Sequence, residues 1–251
     1  MAFHPQLRLV DAPAALFQEA ADEFTRRALA AVERNRRFTV ALSGGSTPKG
    51  LYSLLATSDP SRLPWDRMFF FWGDERHVPP DDPQSNYRMA FEALLSKVPV
   101  PATNIFRIAA ENPDAKRAAE NYEQTLRNFF HPAPGQFPVF DLILLGMGGD
   151  GHTASLFPES MALAEKIRFV VANRVEQFKT ERLTLTLPVL NHGAMVLFLV
   201  SGPDKAPALR EVLEGNQPGE RYPSKLIRPS QGELMWLVDQ AAAADLAKRP
   251  R

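Results

Sequence analysis

The sequence predicts an α/β protein: a doubly wound, mainly parallel sheet with helices on both faces, Rossmann-like in plan. Three observations carry this. Short apolar runs bounded by turn residues alternate with longer segments of helical period. The strongest runs are continuous rather than alternating, as strands covered on both faces require. Glycine-rich and polar loops follow directly after strands, where open parallel sheets bind ligands. The 251 residues are read as a single domain over 1–251, with room for a small subsidiary lobe.

The elements follow in order. Ala14–Asn35 reads as a helix, because Phe17, Ala20, Phe24, Ala28 and Val32 recur at helical spacing with Glu19, Arg26, Arg27 and Glu33 between them. "FTVAL" (38–42) is a buried strand. The loop "SGGS" then turns into a helix, with Thr47 as N-cap and Pro48 at its first position. "MFFFW" (68–72) is the next strand, followed by the polar, proline-rich "GDERHVPPDDPQSN". "YRMAFEALLSK" (87–97) is helical, "NIFRI" (104–108) a short strand, and 112–130 another helix. "VFDLILLG" (139–146) is the strongest strand. "RFVVAN", "ERLTLTL" and "AMVLFLVSG" add three more, and "LMWLVD" (234–239) closes the sheet. "DKAPALREVLEG" (204–215) and "QAAAADLAK" (240–248) read as helices.

Lys+Arg and Asp+Glu are both 29, so the net charge of zero argues against a nucleic-acid partner, and any anion site must be a local cluster. There are no cysteines, hence no disulfide framework and no thiolate metal site. The N-terminal stretch lacks a basic region leading into an apolar one, and no apolar run approaches the ~20 residues that span a bilayer. A cytoplasmic protein without a membrane partner is the expectation. Nothing in the sequence sets its oligomeric state.

Three loops open on one sheet edge. "SGGSTP" offers Gly44 and Gly45 for close backbone approach, hydroxyls from Ser43, Ser46 and Thr47, and the free N–H groups of a helix start. It reads as an anion cradle or as a plain strand-to-helix turn; the Walker A order is absent. "GDERHVPP" brings Arg76, whose guanidinium suits a phosphate, though a solvated charged loop has the same composition. "GMGGDGH" contains the G-x-G-x-x-G spacing, but Pro158 follows soon and no acidic residue ends the next strand, which argues against a dinucleotide. Its His152 is a candidate general base with Asp150 to orient it, or a histidine that merely pins the loop. The histidines at 4, 77, 131, 152 and 192 form no close ligand pair, so no metal is expected. Lys205 after "AMVLFLVSG" and Arg182 at the start of "RLTLTLPVLN" are cationic candidates, Lys205 the stronger for its post-strand position.

Together "LSGGSTP", "DERHVPPDDPQSNYRMA", "FDLILLGMGGDGHTASLFPES", "RLTLTLPVLN" and "SGPDKA" resemble the 6-phosphogluconolactonase family in order and spacing, with "PSKLIRP" and "MWLVDQAA" adding to the likeness. The resemblance implies hydrolysis of 6-phospho-D-glucono-1,5-lactone to 6-phosphogluconate, in the oxidative pentose phosphate pathway, without metal or organic cofactor. It implies His152 as base supported by Asp150, Ser43–Thr47 as phosphate loop, Arg76 and Lys205 as phosphate clamp, and Asn86 as a pocket wall. The N–H groups of Gly148, Gly149 and Gly151 are candidate oxyanion donors. No G-x-S-x-G elbow is present, which argues against a covalent serine route. Glucosamine-6-phosphate deaminases share the D-G-H loop but carry glutamate where this chain has Phe157 and tyrosine where it has Arg76. Sugar-phosphate sensors of related fold need a DNA-binding module, and only 37 residues precede the first buried strand, most of them in one helix.

Overall fold

The computed structural model describes residues 5–57, 59–176 and 179–247. Nine strands and six α-helices alternate along these residues: β1 (Gln6–Val10), α1 (Pro13–Asn35), β2 (Phe38–Leu42), α2 (Ser46–Thr57), β3 (Met68–Trp72), β4 (Asp74–Arg76), α3 (Asn86–Ala90), α4 (Ala115–Phe130), β5 (Leu142–Leu145), β6 (Val170–Val175), β7 (Thr180–Leu185), α5 (Leu187–Leu190), β8 (Met195–Val200), α6 (Ala206–Glu214) and β9 (Glu233–Asp239). Six strands form one parallel sheet in the order β1-β9-β8-β5-β2-β3. The chain leaves β2 to one side for β3 and returns on its other side with β5. The gap between the carboxyl ends of β2 and β5 is therefore a topological switch point, where such sheets bind ligands.

Continuous apolar strands and striped helices explain the layering. Every residue of β2, β5 and β8 is buried. Helix α1 turns Leu16, Ala20, Phe24, Ala28 and Ala31 onto the sheet, and ends where Arg36 adopts φ 59° and donates its N–H to Val32 O. Ring packing fills the layer beside β3: Phe71 stacks on Phe106 at 4.8 Å and meets Phe129, Phe130 and Phe140 within 5.5 Å. Full burial of each such ring is worth ~1.5–3 kcal/mol. No helix among the described residues is long and apolar enough to cross a membrane.

Several sequence expectations are corrected. β6 and β7 leave the main sheet and form, with β4, a three-stranded antiparallel sheet in the order β4-β7-β6. Only residues 176–179 join β6 to β7, far fewer than the dozen a parallel crossover needs. The "DER" of the charged loop is thus strand β4. The sheet is closed by β1, not by β9, which lies between β1 and β8; the half-exposed "QLRLV" has no continuous apolar signal. "NIFRI" makes only a single bridge, Ile105 to Phe70. The helix read over 87–97 is α3 followed by a π turn at Phe91–Leu95. Thr47 lies inside the first turn of α2 rather than at its N-cap, because the helix starts at Ser46. The helix read from 112 starts at Ala115, where the Asp114 carboxylate accepts the N–H groups of Lys116 and Arg117. The stretch 240–247 forms turns, with Ala242 N–H donating to Asp239 Oδ1 and Ala243 N–H to Asp239 O, too short a segment to propagate a helix; Lys248 lies outside the described residues.

Candidate active site

A cavity of about 200 Å³ opens at the switch point. Its wall takes Ser43 to Thr47 after β2, Asp74 and Arg76 from β4, Asn86 from α3, Gly146 to Gly148 and His152 after β5, and Ser201 and Lys205 after β8. The fold thus brings three loops, strand β4 and helix α3, distant in sequence, to one opening.

His152 is held from several sides. Its Nδ1 lies 2.6 Å from Asp150 Oδ1, and its own N–H donates to the same oxygen at 3.0 Å. Burial works to raise the Asp150 pKa, but hydrogen bonding and charge from His152 outweigh it and hold the carboxyl down at about 2. Asp150 is therefore an acceptor at neutral pH, which puts the imidazole proton on Nδ1 and leaves Nε2 as the basic nitrogen. Phe157 stacks on the ring, centroids 4.3 Å apart. Beneath lies Gly148, where a Cβ would overlap His152 Nδ1 and Cε1 and come 2.7 Å from Asp150 Oδ1. Gly151, at φ +79°, packs against Tyr222 with no space for a side chain. Ser224 grips the loop from behind: its N–H donates to Gly151 O at 2.9 Å and its hydroxyl to His152 O at 3.3 Å.

The oxyanion expectation is narrowed. Gly148 N–H donates to His152 O at 2.9 Å, and Gly151 N–H to Gly148 O at 3.0 Å. Both N–H groups are occupied in closing the loop, and neither points to an open acceptor site. Gly149 and Gly151 do not line the cavity.

The serine-glycine loop is pinned by a residue the sequence reading missed. Tyr52 OH accepts from Ser43 N–H at 3.0 Å and donates to Ser43 O at 2.9 Å. Burial pushes its pKa up, so the phenol stays protonated. Gly45 takes φ +103° to enter α2. Gly44 lies under the Asn86 side chain so closely that a Cβ would overlap Asn86 Oδ1 and sit 2.8 Å from Nδ2. Glu75, buried on β4, accepts the N–H groups of Arg76 and Asn86 at 2.7 Å each and of Tyr87 at 2.8 Å. It is a structural cap that orients α3, and burial raises its pKa against those donors.

Two of the three cationic candidates reach the wall. Arg76 lines it with Nη1 donating to Gln84 O at 2.6 Å, and Lys205 lines it with Nζ 2.9 Å from Asp204 Oδ2. Arg182 does not line the cavity; it pairs with Arg76 across β4 and β7. Burial first, then the Arg76 charge, lowers the Arg182 pKa. His77, by contrast, is tied to Asn112 O at 2.6 Å, away from the wall.

Ser155 is another residue without a local signal. Its hydroxyl donates to Asp74 Oδ2 at 2.6 Å, its N–H to Thr184 Oγ1 at 3.3 Å, and its carbonyl accepts from Asn173 Nδ2 at 2.8 Å. Those partners sit on β4, β7 and β6, so the small sheet holds the segment that carries His152.

The chain matches a family described as glucosamine-6-phosphate isomerases/6-phosphogluconolactonase over residues 11–236. It is 44% identical over 233 residues to a 6-phosphogluconolactonase of Nostoc sp., covering 93% of this chain and 95% of that one. Identity to the 6-phosphogluconolactonase of Synechocystis sp. is 43% over 243 residues, covering 96% and 98%. The solved 6-phosphogluconolactonase from Trypanosoma cruzi superposes with a TM-score of 0.88 at 33% identity, covering 99% of each chain. A monomeric glucosamine-6-phosphate deaminase shares the fold, with a TM-score of 0.79 at 22% identity.

Proposed function

Because the chain belongs to the glucosamine-6-phosphate isomerase/6-phosphogluconolactonase family, we propose that it hydrolyses 6-phospho-D-glucono-1,5-lactone to 6-phosphogluconate, with His152 as the general base. The observation that carries this reading is the Asp150–His152 pair at 2.6 Å, its imidazole on the wall of a cavity that also takes the serine-glycine loop, Arg76 and Lys205. That cavity offers both a base and a set of anion donors.

A δ-lactone carbonyl is already reactive toward water, so a modest base suffices. Nε2 of His152 takes a proton from water as the oxygen attacks the carbonyl carbon. Asp150 stabilises the imidazolium that forms, and general-base assistance of this kind contributes ~10²–10⁴ in rate. The imidazolium then returns the proton to the ring oxygen as the C–O bond breaks, giving the open acid. At the far end the phosphoryl group binds the loop Ser43, Gly44, Gly45, Ser46 and Thr47, where α2 presents unpaired N–H groups and a favourable dipole. Arg76 and Lys205 neutralise its charge, with Arg182 strengthening the local positive field from behind Arg76. Binding energy at that end positions the carbonyl against Nε2.

Phe157 favours the lactonase over a deaminase, because it offers the histidine an apolar ring face and no acid. The test is acid release from the phosphorylated lactone, measured against its spontaneous hydrolysis, beside ammonia release from glucosamine 6-phosphate. Lactone turnover well above background without ammonia is expected; ammonia release without lactone turnover overturns the reading.

A further inference from the structure

Asp74 is a buried carboxylate on the wall of a cavity that otherwise gathers anion donors. Its bonds run in two directions. Toward the serine-glycine loop, Asp74 O and Oδ1 accept from Asn86 Nδ2 at 3.0 and 3.3 Å, and the Asn86 amide lies directly on Gly44. Toward the histidine loop, Oδ2 accepts from Ser155 Oγ at 2.6 Å, three residues beyond His152. Thr184, which faces Asp74 across β4 and β7, takes the Ser155 N–H, and Asn173 takes its carbonyl. Asp74, Asn86, Ser155, Asn173 and Thr184 are all buried, and the last three do not line the cavity, so the bonds on the histidine side are shielded from water. A short hydroxyl–carboxylate bond in such surroundings is of the strong, charge-assisted kind.

We propose that Asp74 is a positioning residue that couples the two ends of the site: through Asn86 it senses the loop over Gly44, and through Ser155 it sets the loop that carries His152. Binding energy from a phosphoryl group at the first loop is thereby realised as alignment of the imidazole at the second, which raises kcat rather than merely lowering KM. The coupling explains why a carboxylate is kept beside an anion site, and why a second, antiparallel sheet is built there. The inference rests on the lactonase reading above.

The experiment compares hydrolysis of 6-phosphogluconolactone and of unphosphorylated gluconolactone by the wild type, Asp74→Asn and Ser155→Ala. Ser155 does not line the cavity, so its loss cannot act through substrate contact. Both variants are expected to lower kcat for the phosphorylated lactone by ~10-fold or more, since small misplacements at a reacting centre carry losses up to ~10². The unphosphorylated lactone, which draws nothing from the anion loop, is slowed by less, so the preference between substrates shrinks. A purely structural role would slow both substrates by one factor; a direct hydroxyl contact by Asp74 would leave Ser155→Ala at the wild-type preference. Either result overturns the coupling. A variant that does not fold leaves the other to decide. A wild type that fails to hydrolyse the phosphorylated lactone overturns the lactonase reading, and this inference with it. A fully active wild type whose variants keep its preference overturns the inference alone.

Discussion

Replacing Gly148 by alanine isolates the geometry of the base from its chemistry, because no titratable group is removed. The Gly148 backbone is outside the left-handed region, so the main chain accepts a methyl group. Space forbids it. The added Cβ would overlap two atoms of the His152 ring and approach Asp150 Oδ1 to 2.7 Å, where tight contact gives way to ordinary contact at 3.4 Å. Asp150 must retreat by about 0.7 Å, and the imidazole by more. The ring cannot tilt freely, since Phe157 stacks against it. A displacement of ~1 Å at a reacting centre costs ~10² in rate, or ~2.7 kcal/mol of barrier. Steady-state kinetics at 25 °C should therefore show kcat lowered ~100-fold, with KM for the phosphorylated lactone changed by no more than roughly threefold because the anion loop is untouched. Thermal unfolding checks that the protein remains folded; the half-exposed pair yields toward solvent, and Tm should fall by no more than ~4 °C. A Gly148→Ala enzyme with kcat within about twofold of wild type would refute the reasoning, because the ring could then move without consequence.

Three further outcomes are expected. His152→Ala lowers kcat by ~10²–10⁴ while 6-phosphogluconate still binds, as read by isothermal calorimetry; near-normal turnover removes the histidine from the mechanism. Asp150→Asn presents an amide where Nδ1–H needs a carboxylate and favours the wrong tautomer, so kcat falls ~10³ or more. The same variant reports on stability: the folded-state pKa of about 2 lies below the ordinary value, so the pair's stabilisation is present above pH ~4 and fades as the pH falls toward about 2. The Tm gap between wild type and Asp150→Asn should be widest near neutral pH and close in acid, and a gap independent of pH contradicts the assignment. Arg76→Ala and Lys205→Ala each raise KM for the phosphorylated lactone ~10-fold or more, the scale of one charged hydrogen bond, and act weakly on unphosphorylated gluconolactone; equal effects on both substrates would remove them from the clamp.

Much of the site is legible because it is local. Ser43–Thr47, Arg76, Gly148, His152 and Lys205 each follow a recognisable strand, and parallel strands deliver their carboxyl-end loops to one edge. What is illegible depends on long-range pairing. The Asp74–Ser155 bond joins residues 81 apart, and Ser224 reaches His152 over 72. No period or spacing marks those serines. Tyr52 reads as one more apolar helix residue until its hydroxyl is seen to hold Ser43. The small sheet is hard to read from sequence because "ERLTLTL" has the apolar content of a main-sheet strand, and only the short connection before it dictates a hairpin. The glycines illustrate both sides: their flexibility suggests donors, but the hydrogen bonds that close the loop occupy two of the three N–H groups.

The most direct test of the account is a crystal structure of the protein with 6-phosphogluconate. The phosphoryl group is expected against Ser43–Thr47, Arg76 and Lys205, with the C1 carboxylate within hydrogen-bond reach of His152 Nε2. A sugar bound in the reverse sense, phosphoryl group on the imidazole, or a carboxylate remote from residue 152, would contradict it.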